Sequence, residues 1–443
     1  MLIRYFVENF LSFNDLSEFS MISGKGRVLS DHLVRSNSRR GINILKAAVI
    51  FGPNASGKSN IIKSIDFAQR LILKGTEAKE MISINKFRLD SKNIDKPSRF
   101  QFDIKCGDKY YSYGFLLNFN RIHEEWLFEI NKSKEKQLFH RKTINENDVN
   151  IEFGKLPELT NSKEHQFLEF VAKGTRANQL FLTESIQRNI QYFANVYDWF
   201  RNTLTVIFPE SKFQGLELYL EKEEDFKRNL IELLQKFDTG ISDIECKEYH
   251  VDEDFKEIPF HLITNLKKVL NRKGQKVILS SSENRRYLLF KDEKDEKIKV
   301  SKLLTKHKIK ASGELANFEL NEESDGTQRI IDLLPALIKL RNSNNVFIID
   351  ELDRSLHPLL VRNFLKEFLK IPSNAYSQLI VTTHDTNLLD LKILRKDEFW
   401  FIEKNKEGES HLFSLEEFRP RYDKDIQKGY LLGRFGAIPM IKN

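Results

Sequence analysis

Two stretches, far apart in the chain, hold residue types that could do phosphate chemistry. The first is Gly52-Pro53-Asn54-Ala55-Ser56-Gly57-Lys58-Ser59, a Gly-x4-Gly-Lys-Ser pattern followed by Asn60. Glycines let successive backbone N–H groups turn inward without Cβ clashes, and a helix N-terminus behind them adds positive potential. Lys58 is placed to reach β/γ-phosphates as a point charge, and the Ser59 hydroxyl to ligate Mg2+. Residues 52–60 are therefore the expected nucleotide-binding set.

The second stretch is Val346-Phe347-Ile348-Ile349-Asp350-Glu351. A fully apolar run ending in two carboxylates reads as a buried parallel strand with its tip in a site. Asp350 is expected to hold the Mg2+ shell, and Glu351 to orient and polarise an attacking water. Leu352-Asp353-Arg354-Ser355-Leu356-His357-Pro358 follows directly. A further apolar run, Leu379-Ile380-Val381-Thr382-Thr383, ends in His384-Asp385, so His384 could donate to a γ-phosphate or its product. Ser324-Asp325-Gly326-Thr327-Gln328 precedes an apolar helical pattern, which Ser324 or Asp325 can cap. A capped helix start of this kind is an anion site.

Elements must position these residues. Ala47-Ala48-Val49-Ile50-Phe51 reads as a buried strand, and residues from Asn60 to about Lys74 as a helix, so the Gly-rich loop has strand–loop–helix context. A chance glycine-rich turn would lack both flanks. Residues 2–22 suggest a strand pair, with Asn9 and Asn14-Asp15 at turns and Phe10 to Phe13 opening the second run. Residues 23–43, with Lys25, Arg27, Arg35, Arg39 and Arg40, read as a loop. From Phe87 to Ile130 apolar residues alternate, as in an antiparallel meander turning at Cys106-Gly107-Asp108-Lys109. Residues 131–165 are polar and end in loop, and 165–240 read mainly as helix with an aromatic core stripe. Residues 262–311 are lysine-rich (Lys267, Lys268 and Lys294 among them), partly offset by Asp292, Glu293, Asp295 and Glu296, with short strands expected at 277–279 and 287–290.

Composition narrows the classes. A chain of 443 residues, 30% charged and 40% hydrophobic, suggests two or three soluble units. No apolar run approaches the ~18 residues of a membrane helix, and Met1 to Glu8 has no signal-peptide pattern. Cys106 and Cys246 are the two cysteines, which fits a reduced, cytoplasmic setting and leaves no structural zinc site. A net charge of +7 permits nucleic-acid contact, but a solvated surface with a slight lysine surplus explains it better.

The motif set resembles the ATP-binding-cassette class of ATPases, in the branch with SMC-like repair ATPases and OLD-type proteins. By position, Gly52 to Ser59 is similar to Walker A, Ser324 to Gln328 to the signature, and Asp350-Glu351 to Walker B with its catalytic glutamate. Asp353, Ser355 and His357 occupy the D-loop position and His384 that of the switch histidine. Val7-Glu8-Asn9-Phe10-Leu11-Ser12-Phe13 is similar to the first strands of that branch. More narrowly, Glu323 to Arg329, Asp350 to Pro358 and Gly433-Arg434-Phe435-Gly436-Ala437-Ile438-Pro439 resemble bacterial AAA-15 ATPases of phage-defence operons, such as AbiL/RloA-type pairs and the AriA subunit of PARIS. The signature lacks the leading leucine and double glycine of transporter cassettes, which disfavours a transporter. Gln101 is the candidate for the Q-loop glutamine.

The resemblance implies an α/β P-loop head with an antiparallel β subdomain and a large, mainly helical insertion. Its lobes would span 1–130 and 316–443, with the insertion at 131–315. It further implies ATP and Mg2+ as cofactors, and catalysis by Glu351 with Lys58 and His384. ATP would be sandwiched between the Walker A of one subunit and the signature of another, giving a closed homodimer. Roughly 60 residues follow His384, fewer than an ordinary nuclease domain, so effector activity is expected in a separate, Toprim-like protein. The competing readings are a DNA-associated repair or chromosome ATPase, for which no long heptad coiled coil is evident, and a free-standing nuclease.

Overall fold

A computed structural model describes the chain except residues 27, 36–40, 132–133, 146–147, 157–161, 214, 252–257, 259–269, 271–275, 281–284, 292–296, 373–374, 422–424 and 440–443. Arg27, Arg39 and Arg40 of the basic loop lie outside the described residues, as do Lys267, Lys268, Asp292, Glu293, Lys294, Asp295 and Glu296. The chain divides into two compact units. The larger holds Met1–Pro209, Leu340–Arg354 and Leu365–Asn443; the smaller holds Glu210–Lys339 and Ser355–Phe364.

In the larger unit the apolar runs form one sheet in the order Leu204–Ile207, Val346–Ile349, Gln378–Thr383, Ala47–Phe51, Phe399–Lys404, Ser410–Ser414. Its strands pair in parallel except the last, which returns antiparallel to Phe399–Lys404. Ala47–Phe51 is buried along its whole length, as the absence of polar alternation requires. Each aliphatic side chain buried there contributes about 1.5–3 kcal/mol. The carboxyl ends of three adjacent strands therefore carry Gly52, Asp350 and His384 side by side. The helix Lys58–Lys74 follows the phosphate loop and stops at Gly75, φ 70°.

A second, antiparallel sheet runs in the order Asp148–Phe153, Glu135–Asn145, Ile122–Ile130, Lys109–Leu117, Ser98–Cys106, Leu2–Glu8, Ser17–Ser20. Gln378, fully buried, joins it to the parallel sheet: its side chain accepts from the Leu2 N–H at 2.6 Å and donates to the carbonyls of Leu2 and Leu45. Tyr5 donates to Ser64 on the phosphate-loop helix at 2.7 Å.

Three local expectations change. Residues 135–153, given no strand above, are two strands that extend the meander; a buried Arg141 and an exposed Ile144 break the alternation of the first, while Asp148–Phe153 alternates plainly. Residues 131–209 accordingly belong to the larger unit, and residues 131–315 hold strands as well as helices. Phe10–Phe13 is a tight turn rather than a strand start, with Asn9 and Leu11 at positive φ and both phenylalanines buried; the second strand begins at Ser17. Leu204–Ile207 lies in a run read as helix, yet it pairs beside Val346–Ile349.

The meander holds a buried ion pair, Glu125 with Arg141, both fully buried and 3.5 Å apart. Glu125 accepts from the N–H groups of Phe181 (2.6 Å) and Leu182 (3.0 Å) and from the Tyr113 hydroxyl (3.0 Å). Arg141 donates to the carbonyls of Gln179, Arg176 and Ala177. Removing one partner strands the other charge in the core. Glu125→Ala is expected to lower stability by about 3–5 kcal/mol, read from the urea midpoint; a loss under about 1 kcal/mol contradicts that role.

In the smaller unit, strands Ile241–His250, Ile298–Lys308, Arg286–Lys291 and Lys276–Ser280 form an antiparallel sheet, and Leu315–Glu319 pairs with the far half of Ile298–Lys308. Glu224–Lys236 is an amphipathic helix burying Phe226, Leu230, Leu233 and Leu234.

Candidate functional site

The phosphate loop turns on residues at positive φ. Ala55 sits at 63° and Gly57 at 116°, the conformation that points successive N–H groups inward. Gly57 could not carry a side chain: a Cβ there would lie 2.2 Å from Ser410 Oγ. At Gly52 a Cβ would come 2.3 Å from the Ile402 carbonyl. Both glycines are therefore demanded by space, and Gly57 by backbone as well.

Lys58 is nearly buried. Its ammonium donates to the carbonyls of Gly52 (2.7 Å) and Pro53 (3.0 Å) and lies 3.5 Å from His384 Nδ1. An ammonium has no lone pair to offer, so Nδ1 of His384 is the acceptor and its proton sits on Nε2. Burial, together with the neighbouring Lys58 charge, holds the His384 pKa below its ordinary value. His384 is thus set as a neutral Nε2–H donor.

Asp350, 2% exposed, accepts from Thr382 Oγ at 2.6 Å, and Thr382 Oγ accepts from the Glu351 N–H at 2.8 Å. One hydroxyl thereby fixes both acidic residues. Glu351 has φ 49°, a left-handed conformation that costs a non-glycine residue energy and persists because the Thr382 bond holds it. Asp353 Oδ2 accepts from the His384 N–H at 3.1 Å, while its Oδ1 is buried with no hydrogen-bond partner. Ser56 Oγ is likewise buried and unpartnered.

Residues 52–58, Asp350, Glu351, Asp353 and His384 are therefore gathered in the larger unit. Asn60 turns its amide to Ser12 Oγ, at 2.8 Å. Ser324 to Gln328, Ser355 and His357 are in the smaller unit. There Ser324, rather than Asp325, caps the helix Asp325–Asn342, accepting from the Thr327 N–H at 3.2 Å, and Gln328 donates back to the Glu323 carbonyl at 2.7 Å. The helix start packs tightly on the D-loop segment, since a Cβ at Gly326 would lie 2.9 Å from the Ser355 carbonyl. Ser355 has φ 60°, and His357 caps the helix Pro358–Leu369 through its ring, which accepts from the Leu359 N–H. Gln101 does not reach the site: it hydrogen-bonds to Arg99, Asp103 and Ser112, all in the antiparallel sheet.

Sequence reading missed Thr382, whose one signal is a polar residue in an apolar strand two places before His384. It also gave no role to Ser12 or Ser410, which contact the loop from distant elements.

Residues 47–390 match the family described as an AAA domain, putative AbiEii toxin, Type IV TA system. The chain belongs to that family. The match opens on the phosphate-loop strand and closes just beyond His384, so it contains the whole acidic and cationic set of this AAA domain. No curated protein matches the chain. Among solved structures it is similar to the SMC head domain from Thermotoga maritima, at 11% identity over 93% of this chain and 98% of that one, with a TM-score of 0.37. It is also similar to an SMC head bound to the C-winged helix domain of ScpA, at 13% identity over 95% and 99%, with a TM-score of 0.42.

The buried lysine gives this AAA domain a pH signature. Burial pushes the Lys58 pKa down to about 8, against the opposing pull of Asp350, Asp353 and Glu351. Phosphates would favour the charged ammonium and raise that pKa on binding. Below pH 8 the lysine is already charged and affinity is flat. Above it, binding must take up a proton, so affinity falls as pH rises. Calorimetry of MgATP at pH 9 in buffers of different ionisation enthalpy should show net proton uptake, absent at pH 6.5. Equal uptake at both pH values contradicts the lysine assignment.

Proposed function

We propose that this AAA-domain chain binds and hydrolyses ATP with Mg2+, at sites completed between two copies, and uses the cycle to regulate a separate effector in bacterial anti-phage defence. The observation that carries the catalytic part is the convergence of Lys58, the Asp350–Thr382–Glu351 bridge and the Asp353–His384 contact at one phosphate loop.

The residues fit the proposed cofactors. The inward-turned loop and a buried lysine suit a polyphosphate. Among the described residues no group of three or more His, Cys, Asp or Glu could hold a metal. Mg2+ takes one or two protein ligands beside substrate phosphates and water. Ser59 and Asp350 would hold it, and it would neutralise charge on the phosphates.

In this proposal Lys58 binds the β/γ-phosphates and holds His384 Nδ1 as acceptor. The Nε2–H of His384 donates to the γ-phosphate, and Glu351 accepts the proton of the attacking water. The chain carries one Walker A-like and one signature-like segment, so a second copy would supply the signature of each site. A family described by a toxin–antitoxin system is in keeping with a defence role, with a Toprim-like partner as the proposed effector. No described helix is long and apolar enough to cross a membrane, and the proposed setting is the cytoplasm.

Phosphate release from ATP, measured with Mg2+ and again with excess EDTA, tests the catalytic part. Magnesium-dependent release is expected, and none at any protein concentration overturns it. Stimulation by DNA would move the reading to a repair or chromosome ATPase.

A further inference from the structure

We propose that Ser12 and Ser410 form a hydroxyl relay that sets the width of the phosphate nest, which makes both of them positioning residues for nucleotide binding. This rests on the phosphate-loop reading above and deepens it.

Three contacts run in a chain, with a backbone bond beside them. Asn60 Nδ2 lies 2.8 Å from Ser12 Oγ, Ser12 Oγ lies 2.7 Å from Ser410 Oγ, and Ser410 Oγ lies 2.6 Å from the Ser56 carbonyl. The Ser410 N–H also donates to the Ser12 carbonyl, at 2.7 Å. The Ser410 hydroxyl is shared between two acceptors, the Ser56 carbonyl and Ser12 Oγ, and Ser12 Oγ also accepts from the amide of Asn60.

The ends of this chain matter. Ser56 is the residue before Gly57, and Asn60 is in the first turn of the helix Lys58–Lys74. The residues between them are the nest itself, Gly57, Lys58 and Ser59. The relay thus closes a loop around the nest from outside, through a serine of the N-terminal turn and a serine 398 positions later at the start of the strand Ser410–Ser414. Both serines are out of solvent, Ser12 at 6% and Ser410 at 3% exposure, so water cannot substitute. Ser410 Oγ also occupies the space a Gly57 side chain would need. The turns that carry the serines are themselves tied, Asn14 donating to Glu409 at 2.6 Å.

The test uses the full chain, Ser12→Ala, Ser410→Ala and the double variant, with MgATP and inorganic tripolyphosphate as probes. Each single change should raise the ATP KM and the tripolyphosphate Kd about tenfold, the worth of about one buried hydrogen bond. Turnover at saturation should stay within about twofold, because the lost interaction binds substrate and transition state alike. The double variant should be no worse than about threefold beyond either single one, since breaking the chain once breaks it throughout. Affinities unchanged within twofold, or a double variant about a hundredfold weaker, would overturn the relay. Lys58→Ala serves as the reference. If it binds tripolyphosphate like wild type, the phosphate-loop reading itself fails. If it loses binding while the serine variants keep theirs, the relay alone fails.

Discussion

Glu351→Gln should lower ATP turnover by at least about a hundredfold while MgATP affinity stays within about threefold. Glutamine keeps the size and the left-handed backbone that the Thr382 bond holds at φ 49°, but it cannot take a proton. General-base catalysis supplies about 10²–10⁴ of rate, and that is the part removed. Binding should be spared because, in the proposed site, the phosphates would meet the loop and Lys58, not Glu351. Turnover retained within tenfold would place the base elsewhere. Asp353, with one buried and unpartnered oxygen beside His384, would then be the next carboxylate to exchange.

Lys58→Ala should weaken MgATP binding by at least about a hundredfold, and hydrolysis with it. An ammonium bonded to phosphate oxygens makes charge-assisted hydrogen bonds of about 1.5–3 kcal/mol each. Without nucleotide, however, the charge is a burden: burial lowers its pKa to about 8 even with three acids nearby. The nucleotide-free variant should therefore melt within about 3 °C of wild type. A variant that binds MgATP normally would refute the phosphate-loop assignment. One that loses binding because it has unfolded would instead assign Lys58 a structural role, through its bonds to Gly52 and Pro53.

The candidate site was legible because its residues lie in short motifs that are local in sequence. Gly-x4-Gly-Lys-Ser between an apolar strand and a helix needs only a dozen residues, and the Asp350-Glu351 and His384 sites each end an apolar run. The meander from Ser98 to Ile130 was legible from alternation. Strand 135–145 was not, because Arg141 is buried and Ile144 exposed, and strand 148–153, though it alternates, was overlooked in a polar stretch. Leu204–Ile207 is four residues inside an aromatic-rich stretch, too short for its period to show. The second layer of the site was illegible for a different reason. Thr382 acts on Glu351 across 31 positions and Ser410 on Ser12 across 398, so only the fold brings them together. Gln101 shows the converse failure. A glutamine at a suitable distance after the phosphate loop spends its amide on the sheet that carries it.

Composite sites between two copies are the central claim, and the molar mass of Glu351→Gln in solution tests it most directly. The chain has a mass of 52.2 kDa. Light scattering should give that value without nucleotide and about twice it with saturating MgATP, whereas Lys58→Ala should not respond. A mass that stays at one chain while calorimetry shows the nucleotide bound would contradict a site completed by a second copy.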